Sequence, residues 1–302
     1  MFSTRSGAAR LSLIVIIGLI AVKVTVAVIT GSISISAQAM DSFLDLFAVF
    51  VTFFAVRLAV MPADEEHPFG HGKVEGVAAG VQAVLIVGAA GFIIYSAVRR
   101  IIAGATLELT EAGIGVMVVS IIASVFLSRH LIKVARKTGS VALEASARNI
   151  NADIYSASGV LVALVALRLT GLNIIDPIIA IVVALYVLKT GYDVARESIT
   201  ELVDVRLPEE EEETIVACIT EHLGQLAGFH KIRTRKAGNQ RFVDFHLQIP
   251  RNTSVEEAHR MCDHLEEDIE SRLPNSSVTI HVEPCDMECN DCVVISCSLR
   301  RA

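Results

Sequence analysis

Residues 38–53 read Gln38-Ala39-Met40-Asp41-Ser42-Phe43-Leu44-Asp45-Leu46-Phe47-Ala48-Val49-Phe50-Val51-Thr52-Phe53. Continued to Val60, the run is apolar and long enough to cross a bilayer, which takes about 20 mostly apolar residues. Yet it carries two carboxylates four apart. Residues at that spacing share one helix face, so Asp41 and Asp45 point the same way. A carboxylate in a bilayer is costly and normally faces a cavity or a partner along an ion or proton path. A second pair at the same spacing, Asn149 and Asp153, stands at the start of another apolar run. The two pairs facing each other would set four oxygen-bearing side chains around one point. Three carboxylates that close need a divalent cation or protons among them, and competition between the two is a route to metal–proton exchange. The plainer reading, helix-end groups or interhelical hydrogen-bonding partners, suits a single Asp better than a paired arrangement.

Outward from this run the chain divides into two materials. It has 302 residues, 53% hydrophobic and 20% charged, with a net charge of −7 and a mean hydropathy of +0.57. Soluble chains lie nearer about 45–50% apolar and about 25% charged. Disorder and a disulfide-stapled small domain are therefore disfavoured, and the acidic balance gives no footprint for nucleic acid. The apolar excess is blocked into six candidate spans: 11–30, 38–60, 74–103, 112–132, 150–169 and 174–192. The first is too long for a signal-peptide core and lacks a convincing cleavage site, so it reads as a retained helix. Thr170-Gly171-Leu172-Asn173 makes a tight hairpin between the last two, and Pro177 falls in the first turn of the sixth, where it costs little.

Basic residues set the orientation. Arg5, Arg10, Lys73, Arg129, Lys133, Arg136, Lys137, Arg148 and Arg196 fall on one side of six spans, against Arg99, Arg100 and Arg168 on the other. Both termini are thus expected in the cytoplasm. The expected architecture is a polytopic α-helical membrane domain of six transmembrane helices (1–204), a small α+β cytoplasmic domain (205–285) and a Cys-containing C-terminal tail (286–302). In the second part, Pro208 and the acids 209–213 open a helix with a stripe of Ile215, Val216, Ile219 and Leu223. Strands are predicted at 230–235 and 241–249 around the turn Lys236-Ala237-Gly238-Asn239-Gln240. Ser254 and Glu257 form a capping-box pattern for a helix to Leu273, and 278–282 alternates as a third strand. The order is α-β-β-α-β.

Three further groups are candidates for chemistry. In the short loop Asp64-Glu65-Glu66-His67-Pro68-Phe69-Gly70-His71-Gly72-Lys73, Asp64, His67 and His71 have the donor types and spacing for one borderline metal such as zinc. An ordinary polar loop turned by Pro and Gly accounts for the pattern equally well. His230, His246, His259 and His281, with Glu283, fall on different predicted elements. From pattern alone, scattered surface histidines are the better reading, and His222 and His264 read as solvated helix positions. All six Cys lie in the soluble part: Cys218, Cys262, Cys285, Cys289, Cys292 and Cys297. In a cytosolic domain they are expected reduced; Cys289-x2-Cys292 is a zinc half-site without a matching knuckle. Lys23, inside the first span, could pair with a buried carboxylate or snorkel. No P-loop or nucleophile elbow is present, which disfavours an ATP-driven pump or a hydrolase.

These stretches together resemble a known family. Thr30-Gly31-Ser32-Ile33-Ser34-Ile35 leading into Met40-Asp41-Ser42-Phe43-Leu44-Asp45 resembles the second-helix signature of the cation diffusion facilitators. His67-Pro68-Phe69-Gly70-His71-Gly72-Lys73 is similar to their following loop, and Asp153 heads a fifth helix in the expected place. Arg233-Thr234-Arg235 and His281-Val282-Glu283-Pro284-Cys285 resemble the cytoplasmic domain of the bacterial zinc/iron exporter branch. The resemblance implies a homodimeric, multi-pass exporter of divalent metal driven by proton antiport, in the inner membrane if bacterial, and not an enzyme. It implies a metallochaperone-like cytoplasmic domain at the dimer interface. It places Asp41, Asp45, Asn149 and Asp153 at a transport site and Asp64, His67 and His71 at a loop site. It places His230, His246, His259, His281 and Glu283 at a cytoplasmic binuclear site, and Lys73 and Asp204 at an interdomain salt bridge.

This chain also departs from the pattern. Zinc-selective members carry His where Asn149 stands, so the transport site becomes all-oxygen, which favours harder ions such as Mn²⁺ or Fe²⁺ over Zn²⁺. Glu283 stands where close relatives carry Asp. A membrane-anchored metal sensor or scaffold of the same fold is the alternative; the buried carboxylates argue against it.

Overall fold

The computed structural model describes residues 4–30, 33–103, 111–170, 174–223 and 226–285; at 27, 30, 33–41, 43, 44, 103, 111–113, 164, 167, 168 and 176 the backbone alone is described. The chain divides into two compact units, Met1–Leu202 and Val203–Ala302.

The first unit is built of α1 (Arg5–Thr30), α2 (Ile33–Ala59), α3 (Val74–Ala103), α4 (Glu111–Thr138), α5 (Val141–Thr170) and α6 (Ile175–Leu202). At about 1.5 Å per residue each is longer than a hydrocarbon core of about 30 Å. Hydropathy therefore under-reads them. α1 starts at Arg5 rather than 11, and α5 starts at Val141 rather than 150, because the helix continues through its polar stretch Glu144–Arg148. Among the described residues, Arg5–Val26, Val74–Ile102, Ile114–Thr138 and Pro177–Leu202 are long and apolar enough to cross a membrane. Residues 171–173, in the expected hairpin, lie outside the described residues.

Packing in this unit relies on small residues. Ala79, Ala83 and Ala90 of α3 cluster with Ala145 and Ala152 of α5 and with Val187 and Val194 of α6. Small side chains let helix backbones approach where lipid supplies no hydrophobic drive. A close approach falls at Gly191, where a Cβ would stand 2.8 Å from a Val87 methyl. Hydrogen bonds tie the helices further: Gln82 Nε2 donates to Ala48 O at 2.7 Å and Thr52 Oγ1 at 2.9 Å, and Ser198 Oγ donates to Gly76 O at 2.8 Å. Large apolar side chains such as Phe47, Phe92 and Leu169 point outward, as they do on a lipid-facing surface.

The second unit contains α7 (Glu209–Glu221), β1 (Gly228–Ala237), β2 (Gln240–Ile249), α8 (Val255–Arg272) and β3 (Ser276–Pro284). The sheet order is β1-β2-β3. β1 and β2 form an antiparallel hairpin, and β3 returns parallel to β2, which requires the crossover that α8 supplies. The turn is tighter than the five residues expected. Strand pairing runs to Ala237 and Gln240, and Gly238 adopts φ +63, a conformation glycine takes at no steric cost. Ser254 caps α8, accepting from the Glu257 amide at 3.2 Å. α7 buries Ile215, Cys218 and Ile219, so Cys218 takes the place assigned to Val216, which is exposed. Together with Val243, Phe245, Leu247, Leu265 and Ile269 these form the core. One irregularity interrupts β1. The register shifts between His230 and Arg233, and Lys231 sits at φ +53, the signature of a β-bulge.

Candidate metal centres

A cavity of about 280 Å³ opens among α1, α2, α4 and α5. Its lining includes Lys23, Ser42, Asp45, Ser120, Ser124, Asp153 and Ser156. The carboxylates of two sequence-distant helices thus share one chamber. The Lys23 ammonium donates to Ser42 Oγ at 2.6 Å, so its charge is held inside the chamber wall. Asn149, one turn before Asp153, is buried and is absent from the cavity lining. Asp41 lies in α2, with its side chain outside the described residues. The serine hydroxyls escaped the sequence reading. Serine in a helix satisfies itself on a preceding carbonyl and so carries little signal, although Ser120 and Ser124 repeat the four-residue spacing of the Asp pair.

The loop before α3 folds on Asp64. Its Oδ1 accepts the amides of Glu66 at 3.1 Å and His67 at 2.7 Å, an Asx turn that fixes the carboxylate. His67 Nδ1 stands 3.2 Å from Oδ1 and His71 Nε2 3.4 Å from Oδ2, with the rings 4.4 Å apart. The backbone amide of His67 holds the Asp64 carboxyl below its ordinary value, desolvation works against it, and the two histidines help to hold it there. The three ligand atoms lie within 4.8 Å of one another. His71 Nδ1 is buried with no hydrogen-bond partner.

In the tail unit, strand register assembles a second group. His230 pairs with His246 across the hairpin, and His246 with His281 across the parallel pair. Directly opposed residues share a face, so the three imidazoles form a row. Glu283, two residues beyond His281, joins the same face. Because Val243, Phe245, Leu247 and Ile249 face the core, the row lies on the side away from it. Glu283 is the hub. His246 Nδ1 donates to Oε1 at 2.7 Å, His230 Nε2 is 3.2 Å from Oε2, and His281 Nε2 is 3.7 Å from Oε1. The His246 hydrogen bond lowers the Glu283 pKa against a desolvation that raises it. His259 does not converge on this group; its Nδ1 lies 3.5 Å from Asp263 on α8.

The reading of His222 and His264 as solvated helix positions holds for His264, on the exposed face of α8, and is corrected for His222, which caps α7 with its ring largely buried. Their rings meet edge to face at 5.2 Å, and both face Asp268. α7 and α8 pack side by side on one core, a tertiary fact that no local pattern encodes. Cys218 and Cys262 are buried, and desolvation pushes both thiols up, so they act as core residues. Cys289, Cys292 and Cys297 lie outside the described residues. Lys73 donates to Leu202 O at 3.3 Å, and Asp204 stands 3.5 Å from Arg235 Nη1; Lys73 and Asp204 fall in different units.

Comparison with known proteins matches this division. Residues 9–203 fit the family model of the cation efflux transmembrane domain, and residues 207–285 that of the cation efflux protein cytoplasmic domain. The transporter sll1263 of Synechocystis is 35% identical over 85% of this chain and 83% of its own. The cation-efflux pump FieF of Salmonella typhimurium is 34% identical over 85% of each chain. The solved metal-bound C-terminal domain of the CzcD transporter from Thermotoga maritima is 26% identical, with a TM-score of 0.24, covering 25% of this chain and 87% of that one. The chain belongs to the cation diffusion facilitator family of membrane metal efflux transporters.

Proposed function

We propose that the chain exports a divalent cation from the cytoplasm in exchange for protons, acting as a homodimer with six membrane-crossing helices. Both termini and the α+β domain lie in the cytoplasm. The carrying observation is the chamber that brings Asp45 of α2 together with Asp153 of α5, beside the ammonium of Lys23. Carboxylates gathered in a low-dielectric chamber repel one another, and the single ammonium of Lys23 offsets only one of their charges. A dication entering from one side and protons entering from the other satisfy the same oxygens in turn, so each displaces the other. Asp41 would add a further carboxylate; Asn149, buried outside the lining, would add a neutral carbonyl oxygen only by turning into the chamber. Such an oxygen set suits Mn²⁺ or Fe²⁺ and also admits Zn²⁺ or Co²⁺. Alternate exposure of the chamber by rocking of helices would carry the ion across.

The loop group Asp64, His67 and His71 and the sheet group His230, His246, His281 and Glu283 are read as cytoplasmic metal sites; His259, on α8, stands apart from the sheet group. Metal there would favour whichever state of the protein binds it more tightly. The test is flux into proteoliposomes with a trapped pH-sensitive dye. Metal uptake accompanied by proton release, lost in Asp45→Ala and Asp153→Ala, supports the reading. Uptake untouched by Asp45→Ala removes the assigned site, and metal binding without flux favours a sensor.

A further inference from the structure

α7 ends at His222, which serves as its C-cap. The ring is largely buried, and its Nδ1 lies 2.9 Å from the carbonyl oxygen of Cys218 one turn back. A carbonyl only accepts, so Nδ1 carries the hydrogen. That fixes the ring and turns Nε2 toward α8, where it stands 3.3 Å from Asp268 Oδ2. His264, one turn earlier on α8, points its Nε2 at the same oxygen from 4.0 Å. The three ligand atoms lie within 4.8 Å of one another. An imidazole that donates its far N–H to a backbone carbonyl while presenting the near nitrogen is the usual arrangement of a metal-ligating histidine.

Geometry and charge favour a cation at the centre of this group. Both Nε2 atoms face one carboxylate oxygen, but His264, at 4.0 Å, is beyond hydrogen-bond reach of it. A single dication would engage all three ligand atoms. Ligand atoms around tetrahedral zinc stand about 3.3–3.5 Å apart, given Zn–N and Zn–O distances near 2.1 Å. The His222–Asp268 spacing already fits, and His264, with 63% of its side chain exposed, has solvent on the side away from His222 into which its ring can adjust. The position also faces the C-terminal end of α7, where positive charge is favoured. Arg272, the next basic group along α8, acts on Asp268 only through its charge and gives its hydrogen bonds to Glu221. It forms a two-pronged pair with Glu221 at 2.9 and 2.5 Å.

We propose that His222, His264 and Asp268 form an additional divalent-metal site that clamps the end of α7 to α8. It takes a borderline ion of the zinc or cobalt type, and water completes the coordination. It is separate from the histidine row, which lies on the face of the sheet turned away from the core that α7 and α8 cover. Its occupancy is independent of whether the membrane unit transports.

The experiment is Co²⁺ titration of the full-length protein in detergent, read by visible absorption and by metal content after desalting. The wild type is compared with His264→Ala, whose exposed side chain leaves the fold unstrained, and with Asp268→Asn. Each variant is expected to bind one ion fewer per chain, to lose part of the tetrahedral Co²⁺ absorption, and to show a smaller rise in melting temperature on adding metal. Its metal-free melting should be unchanged. The same change should appear when the variant is built on His230→Ala/His246→Ala, which removes the sheet site. Undiminished stoichiometry and absorption in both variants would overturn the proposal, whatever the flux assay shows.

Discussion

Arg5 Nη1 meets Glu75 Oε1 at 2.9 Å, and the Glu75 side chain is wholly shielded from solvent. The pair ties the start of α1 to the first turn of α3. Ser140 Oγ donates to the other oxygen of Glu75 at 2.5 Å, and Arg5 also donates to the Thr138 carbonyl. α1, α3, the end of α4 and the turn after it therefore meet around one ion pair. Breaking a buried pair leaves an uncompensated charge and costs about 3–5 kcal/mol. Arg5→Met should lower the melting temperature of the detergent-solubilised protein sharply, whereas Arg5→Met/Glu75→Met should recover much of the loss. A double variant as unstable as the single one would show that the pair is not energetically coupled.

The ammonium of Lys23 shares its chamber with Asp45 and Asp153. Under the proposed transport it would repel an incoming dication and offset the carboxylates of the empty chamber. At an effective dielectric near 20, removing one such charge is worth at least about 1.4 kcal/mol, or roughly tenfold in affinity. Lys23→Met should therefore lower the KM for metal about tenfold and slow release, seen as a fall in kcat. An unchanged KM would place the ammonium away from the ion.

Asn149 to His exchanges a carbonyl oxygen for a softer imidazole nitrogen. Competition flux of Zn²⁺ against Mn²⁺ should move toward zinc in Asn149→His. Because Asn149 is buried off the cavity lining, the larger ring will also cost stability, by about 1–3 kcal/mol for overpacking. A ratio that stays constant while stability falls would assign this residue to packing alone.

Arg241 grips Glu211 with two hydrogen bonds, at 2.7 and 2.6 Å. They hold the Glu211 carboxyl below its ordinary value of 4.5, against partial desolvation. A carboxyl lowered on folding stabilises the fold above its unfolded value, and that contribution is lost as pH falls through the lowered one. The tail unit should thus weaken on acidification below the ordinary glutamate range. Glu211→Gln should flatten that response and cost about 1 kcal/mol near neutrality, the pair being partly solvated. Pulse proteolysis of the full chain with an acid-active protease, from about pH 6 to about pH 3, reads both effects. An identical acid profile in the variant would assign the sensitivity to other groups.

What local chemistry dictates was legible. Asp41 and Asp45 announced a helix face because their spacing matches the helical repeat, and Ser254 with Glu257 announced a cap that the structure forms. The chamber was half legible: Asp45 and Asp153 stood out against apolar neighbours, while Ser120, Ser124 and Ser156 blended into them. The pairing of His222 with His264 was invisible, because the two lie on separate helices and meet only when both bury their apolar stripes against the same sheet. The histidine row depended on strand register, which the hairpin turn alone does not fix.

That register turns on Lys231. Counted back from the turn at Gly238, an unbroken ladder would set position 230 opposite Leu247, whose side chain is buried, and a strand alternates its faces residue by residue. The extra residue between His230 and Arg233 returns His230 to the side of His246. A β-branched residue at 231 resists the positive φ that the bulge uses, and so favours straightening the strand. Every histidine would then remain in the sequence and every strand in the sheet, yet one imidazole would turn into the apolar interior of the domain. Removing residue 231 altogether would do the opposite, leaving a regular ladder with His230 still opposite His246. If this face captures metal as proposed, that capture would answer to a frame slip in pairing, without a change in any of its histidines.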